Sequence, residues 1–488
     1  MYCIEQRNEP RWKTIRHWIV RQINSGEWPE TMKLPSIRAL SRMFDTSVTT
    51  VQRALGDLES SCYIRAEPRT GYFVAAKTQA VPADETGFAS VAVNVNHAVV
   101  AMLSRAGRLK SASLSSAVLH DDLIPHTLLK KCLSAVADRY DSLLTGFIPP
   151  PGLPDLRRRL AALMLTRGVV CGPDDILITS GDTIGLELAL EAVAPQGGVV
   201  AIEMPTYYGM LQIIERLGMR ALPIRTHPRT GMDVDHLEEA LKHQQITAIY
   251  LNPTLQNPQG FIMPDDARAR LSRLAHTAGI PIIEDDIFFD LTPGKTRPRA
   301  LKSLAAGSRT LYCSSFSKTI APGYRVGWCV PGDYRDAILA QMFARNLSVS
   351  SLAQQVLNVF LERGYLERHG ARLQDKLAAV RDYLDILVRT EFPEGSSYIP
   401  PAGGFIHWVV LPANTDMSAL ASLAEQQGCH IAGSGIFFPD DRQNTTVRLC
   451  LGSALSPGMK LNLKILCACA HQAVIAGATS AGRTRPRR

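Results

Sequence analysis

The chain has 488 residues, 46% hydrophobic and 20% charged, so it holds roughly three units of ordinary domain size and is not disordered throughout. No stretch of about 20 uninterrupted apolar residues occurs, and Met1–Pro10 carries Glu5, Arg7 and Glu9 where a signal peptide needs an apolar core, so a soluble, cytoplasmic protein without membrane contact is expected. The net charge of +8 sits at the ends: residues 1–78 hold twelve Lys/Arg against eight Asp/Glu, residues 476–488 add four arginines, and the middle is neutral. A basic module joined to a neutral body predicts that the module meets a polyanion while the body does something else. The ten cysteines are scattered without Cys-x-x-Cys spacing or a Cys/His cluster, which predicts buried thiols and no metal site.

Apolar residues at Trp12, Ile15, Ile19 and Ile23 have helical spacing, closed by Ser25-Gly26. Ser36 can cap a second helix with Ile37, Leu40, Met43 and Phe44 on its inner face. After Asp45-Thr46-Ser47 a third helix turns Val48, Val51, Ala54, Leu55 and Leu58 inward. Two short helices joined by a tight turn make a helix-turn-helix. The runs Tyr63–Ala66 and Tyr72–Val74, around a turn at 67–71, read as a two-stranded wing. Ser47, Thr49 and Thr50 offer short hydroxyls that reach phosphates and base edges in a major groove, although Ser/Thr at a helix start also serves as a cap. Arg38, Gln52, Arg53 and Arg69 at the wing tip supply longer donors. The order of elements, with Leu34-Pro35-Ser36-x-Arg38-x-Leu40, Ser47-x-Thr49-Thr50-Val51 and Gly71-Tyr72-Phe73-Val74, resembles the GntR-type winged helix-turn-helix. Val48 departs from that family, which often carries Arg before the Thr pair.

The winged module is assigned to residues 9–77, a flexible linker to 78–90, the body to 91–475 and a basic, disordered tail to 476–488. In the body, strand-like runs at Ile176–Thr179, Val199–Ile202, Ala248–Leu251, Ile280–Ile283 and Thr310–Cys313 alternate with helical patterns such as Ile184–Ala194 and Asp265–Ala278. This is an α/β domain with a mostly parallel sheet, whose ligands bind beyond the carboxyl ends of the strands.

Those ends carry the polar motifs. Ser180-Gly181-Asp182-Thr183 is a glycine turn opening a helix, suited to a phosphate. Pro205-Thr206-Tyr207 sets a ring at the sheet edge, able to stack on a planar cofactor or to fill core. Asn252–Gly260 is an amide-rich loop containing Asn257. Glu284-Asp285-Asp286 puts acids at the end of an apolar strand, where charge needs a partner such as a protonated ring nitrogen. Lys318 follows the fifth run and can act as an amine nucleophile, and Ser315, Ser317 and Arg325 can hold a phosphate.

This order resembles the fold type I pyridoxal-phosphate enzymes of the aspartate aminotransferase class over residues 90–475, which implies a smaller C-terminal α+β subdomain. The resemblance implies pyridoxal 5'-phosphate held as an aldimine on Lys318, with Lys318 and Asp285 as catalytic residues and Asp285 on the ring nitrogen. It further implies Asn257 at the ring 3'-oxygen, Tyr207 stacked on the ring, and Asp182, Thr183, Ser315, Ser317 and Arg325 around the phosphate. Arg448 matches the arginine that grips a substrate α-carboxylate. Two tyrosines of the pattern are replaced, one within Ile287-Phe288-Phe289 and one at Phe147.

Winged helix plus aminotransferase-like body resembles the MocR subfamily of GntR-type transcription regulators. The resemblance implies a head-to-tail homodimer that binds a double-stranded DNA operator and senses the cofactor or an amino compound. The competing reading is an active aminotransferase carrying a DNA-binding module. A third is a dimerisation scaffold that has lost the cofactor.

Overall fold

The computed structural model describes all residues except 1–9, 25–26, 30–31, 61–62, 68–69, 75–87, 107–113, 140–145, 295–296, 305–308, 346, 441–443 and 484–488. The chain divides into two compact units, residues 1–82 and 83–488. Residues 78–87 of the expected linker, and Arg69 of the expected DNA contacts, lie outside the described residues.

The first unit contains α1 (Arg11–Asn24), α2 (Ile37–Met43), α3 (Val48–Ser60), β1 (Ile64–Glu67) and β2 (Gly71–Val74). Ile15, Ile19, Leu40, Val51, Leu55, Leu58, Ile64 and Val74 form its core, with Trp18 edge-on to Trp28 and Phe44. β1 and β2 pair antiparallel, and Lys33 bridges to Phe73 on the other side of β2. This single bridge beside the wing left no mark in the turn signals. Two apolar residues expected inside are exposed: Met43 at 47% and Val48 at 43%. The phase of the apolar stripe is right, but it overruns the core by one turn. Phe44 packs edge-on to Trp18, and Val51 is the first fully buried residue of α3. Ser36 caps α2 by accepting from the Ala39 N–H at 3.2 Å. Ser36→Ala is expected to destabilise this helix start by about 1 kcal/mol, read as faster amide exchange across α2 in the full-length protein.

The second unit carries β3 (Val91–Ala92), β4 (Leu177–Thr179), β5 (Val199–Met204), β6 (Arg220–His227), β7 (Gly231–Met232), β8 (Ala248–Leu251), β9 (Ile282–Asp285), β10 (Thr310–Ser315) and β11 (Gly327–Val330) in one sheet. The order is β3-β6-β5-β8-β9-β10-β11-β4, with β7 paired to β6. The pairs from β6 through β10 are parallel, and β3, β7, β11 and β4 join antiparallel. Side chains alternate across the sheet as the pleat requires. Val200, Ile202, Ala248, Tyr250 and Ile283 enter one core, while Ala201, Ile249, Leu251 and Ile282 enter the other. A second, antiparallel sheet joins β12 (Ser397–Tyr398), β13 (Ile406–Val410), β14 (Ala432–Gly433) and β15 (Thr446–Cys450) in the order β12-β13-β15-β14. Helices Tyr365–Thr390, Met417–Gln426 and Pro457–Arg483 pack on it. The last helix runs on to Arg483, so residues 476–483, expected in the tail, are helical. Among the described residues no helix is long and apolar enough to cross a membrane, and no cluster of His, Cys, Asp and Glu could hold a metal ion.

Candidate active site and candidate DNA interface

The polar motifs converge where β4, β5, β8, β9 and β10 end. Gly181, with φ of 82°, turns β4 into helix Asp182–Val193. A Cβ at Gly181 would lie 2.5 Å from Arg325 Nη2, and one at Gly327 would lie 2.9 Å from the Asp182 nitrogen. Both positions are therefore restricted to glycine, and the first-turn N–H groups of the helix open beside the Arg325 guanidinium. Arg325 Nη1 also donates to Ser317 Oγ at 3.3 Å, and the Ser317 N–H donates to Ser315 Oγ at 3.2 Å. Ser315, Ser317, Arg325 and the helix start make one cationic cup.

Lys318 ends the short 3-10 turn Phe316–Lys318 that follows β10. Its Nζ donates to the Ala117 carbonyl at 2.5 Å and lies 5.9 Å from the Phe288 ring centre. Burial pushes the Lys318 ammonium down to about 8, with Arg448 acting in the same direction and Cys450, Asp182 and Asp285 opposing. Asp285 closes β9, where it accepts from Tyr250 Oη at 3.0 Å and from the Ile287 N–H at 3.2 Å. Burial raises Asp285 to about 6, although both donors favour its ionised form. Asp182, expected at the phosphate, divides between two environments. Its backbone nitrogen belongs to the cup, but its carboxyl is buried toward Asp285, with Oδ1 lacking a hydrogen-bond partner, and burial raises its pKa. Thr183 hydrogen-bonds Tyr207, which precedes helix Tyr208–Arg216 with its ring 5.0 Å from that of Tyr208.

The three consecutive acids have separate environments because a strand alternates its faces. Glu284 accepts from the Leu301 and Lys302 N–H groups at 2.8 and 2.9 Å, and Asp286 accepts from Tyr312 Oη at 2.9 Å. The amide loop is held from below by Glu203, which accepts from the Asn252 N–H at 3.0 Å and is raised to about 8 by burial. Asn252 Oδ1 in turn accepts from the Asn257 N–H at 2.9 Å. Arg448 on β15 is fully buried over the rings of Phe437 and Tyr208, at 4.8 and 5.4 Å. It donates to Asn257 Oδ1 at 3.3 Å and to the Ser115 carbonyl, and its Nε has no partner among the described residues. One short segment, Ser115–Ala117, thus covers both cations with main-chain oxygen.

On the first unit, Arg38, Ser47, Thr49, Gln52 and Arg53 are exposed and Thr50 is half-buried. Ser47 Oγ lies 2.9 Å from Thr49 Oγ1 and 2.8 Å from Thr50 Oγ1, and accepts from the Thr50 N–H at 3.2 Å, so capping is part of its role. Arg53 stacks 4.8 Å from the Trp12 ring centre.

The family model of aminotransferase class I and II matches residues 118–462, and that of the bacterial regulatory proteins of the gntR family matches residues 12–74. The uncharacterized HTH-type transcriptional regulator YjiR of Escherichia coli is 33% identical over 457 residues, covering 93% of this chain and 97% of its own. The chain belongs to the GntR-type regulators of MocR architecture. Among other relatives of this MocR-type chain, the 2-aminoadipate transaminase of Thermus thermophilus is 29% identical over 336 residues, covering 67% of this chain and 82% of its own. The crystal structure of Pyrococcus horikoshii kynurenine aminotransferase superposes with a TM-score of 0.71 at 26% identity, covering 77% of this chain and 94% of its own.

In the MocR-type body, Lys318, Asp285, Asn257, Tyr207, Thr183, Ser315, Ser317 and Arg325 lie at or beyond the strand ends, and Arg448, in the middle of β15, reaches Asn257 among them. Sequence reasoning missed Tyr250, Tyr208 and the Ser115–Ala117 carbonyls. Tyr250 sits inside an apolar strand run, where an aromatic reads as core. Phe147, at one of the two replaced tyrosines, is 70% exposed.

Proposed function

We propose that this GntR-type transcription regulator binds pyridoxal 5'-phosphate in its body and responds to an amino acid, changing the DNA affinity of its winged module. The observation that carries the reading is the depressed Lys318 amine beside a cationic cup built from Gly181, Ser315, Ser317 and Arg325. An amine titrating near 8 and a helix start opened beside a guanidinium are what an aldehyde-bearing phosphate requires. The class I and II aminotransferase family is typically dependent on this cofactor.

In this reading the N–H groups of Asp182 and Thr183, with Ser315, Ser317 and Arg325, hold the phosphate. Asp285, kept in place by Tyr250, holds the proton at the ring nitrogen. Asn257 meets the ring 3'-oxygen, Tyr207 covers the ring, and Lys318 supplies the amine. When bound, the cofactor supplies an aldehyde that exchanges amines reversibly and a ring that withdraws electrons. Arg448 selects a carboxylate: a carboxylate oxygen replaces the Ser115 carbonyl on its guanidinium and adds charge that a backbone oxygen lacks. The effector is therefore an amino acid rather than a simple amine. A head-to-tail dimer, with each winged module serving the partner's body, belongs to the same proposal.

The full-length protein loaded with pyridoxal phosphate is expected to change its near-ultraviolet and visible absorbance with one or a few amino acids, and not with the matching decarboxylated amines. The same amino acids should shift its affinity for a selected operator in fluorescence anisotropy. Recovery of the starting spectrum on adding a keto acid would favour the aminotransferase reading, which the similarity to the 2-aminoadipate transaminase supports. No new absorbance on adding the cofactor would refute the assignment.

A further inference from the structure

The exposed surface of α3 is not uniformly polar. Its inner stripe, Val51, Ala54, Leu55 and Leu58, is fully buried. Val48 extends this stripe past the end of the core and is exposed at 43%, and Thr49 beside it and, one turn on, Gln52 and Arg53 are exposed as well. Val48 and Gln52 stand four residues apart, as do Thr49 and Arg53, so the four form one contiguous patch. At its leading edge the hydroxyls of Thr49 and the neighbouring Thr50 are both drawn to Ser47 Oγ, at 2.9 and 2.8 Å. That leaves the Thr49 methyl and the two Val48 methyls at the leading turn. Arg38, Arg42 and Arg53 are exposed on the same unit, whose first 78 residues carry a net +4, so the occupant of this face is a polyanion with apolar features.

Duplex DNA offers one such feature in its major groove, the 5-methyl group of thymine, which apolar side chains contact directly. We propose that Val48 is a specificity-determining residue, packing on a thymine methyl so that the operator carries thymine beneath the first turn of α3. The inference rests on α3 being the helix that enters the groove. It adds the identity of a base and the side chain that reads it. Gln52, whose amide can pair with adenine N6 and N7, reads one step further along the same groove wall.

The full-length protein is used to select duplexes from a random library, and each thymine of the selected site is then replaced singly by deoxyuridine. At one or two thymines the replacement is expected to weaken wild-type binding about 3- to 10-fold. Val48→Ala is expected to bind thymine and deoxyuridine equally there, with its salt dependence unchanged because no phosphate contact is lost. Val48 is exposed and alanine favours helix, so this variant keeps the fold. Val48→Ile, which retains the methyls, restores the preference. If Val48→Ala keeps the wild-type ratio of thymine to deoxyuridine affinity at every position, the proposal fails while the DNA reading stands. If no duplex is selected at all, both fail.

Discussion

Lys318→Ala is expected to abolish lasting retention of pyridoxal phosphate while leaving the fold intact. The side chain is half-buried and its amine makes one described hydrogen bond, to the Ala117 carbonyl, so its removal frees one acceptor and opens little space. The cup contributed by Ser315, Ser317 and Arg325 remains, and the variant should still bind the phosphate reversibly. Wild-type protein is expected to hold its absorbance through gel filtration, and the variant to lose it. Only the neutral amine is a nucleophile, which gives the reaction a pH signature. With Lys318 near 8 against an ordinary lysine at 10.5, about one tenth of the amine is neutral at pH 7, where an unshifted lysine would have less than about one thousandth. The direction follows from the sign: deprotonation creates the reactive form, so the rate rises with pH up to the Lys318 pKa and levels above it. Stopped-flow mixing of apoprotein with pyridoxal phosphate between pH 6 and 9 is expected to show about a tenfold rise per pH unit below 8 and a plateau beyond. A rise continuing unbroken to pH 9 would mean that the burial around Lys318 does not act on its amine.

How much of this was legible in the chain depended on whether a feature leaves a local mark. Helix Asp265–Ala278 and β8 were read with their observed limits, because paired acids open the helix, Gly279 closes it in the left-handed region, and β8 is a short apolar run bounded by polar residues. Lys318, Asp285 and Arg325 were legible because each follows a strand-like run and the order of the runs carries the information. β11 was not read as a strand, since Gly327-Trp328 drew attention as part of a motif. Contacts made by backbone oxygen leave no mark at all. The carbonyls of Ser115 and Ala117, which meet Arg448 and Lys318, come from 333 and 201 residues away, and any residue type would offer them. Asp182 illustrates a subtler limit: the glycine turn before it is present as read, but the turn alone does not say which way a carboxyl points. Val48 and Met43 failed in the same manner, because a helical stripe predicts a direction and not where the core ends.

Arg167→Met is expected to have the largest effect on stability, at a position that no motif marks. Arg167 is buried, following helix Pro154–Leu165. Its Nη2 meets Asp290 Oδ2 at 3.0 Å, and its Nη1 donates to Tyr312 Oη and, at 3.3 Å, to Ser314 Oγ. The rings of Phe289 and Trp328 lie 4.7 and 5.2 Å from the guanidinium. Burial by itself lowers its pKa, but Asp290, Tyr312 and Asp286 outweigh it, and the net shift is upward. Removing the cation leaves Asp290 buried with Arg297 as a remoter partner at 3.8 Å, and leaves Asp286 buried beside Tyr312. Breaking a buried pair from one side costs about 3–5 kcal/mol, because the remaining charge has lost its compensation. Urea denaturation followed at Trp328 is the measurement, and adding Asp290→Asn to Arg167→Met should recover part of the loss by removing the stranded charge. The effect also reaches the site. Tyr312 and Ser314 belong to β10, whose end positions Ser315–Lys318, and Asp286 adjoins Asp285. A destabilised variant that still folds at low temperature is therefore expected to hold pyridoxal phosphate less tightly than wild type. Equal stability and equal retention would mean that the hydrophobic surroundings, rather than the ion pair, hold these two strand ends in register.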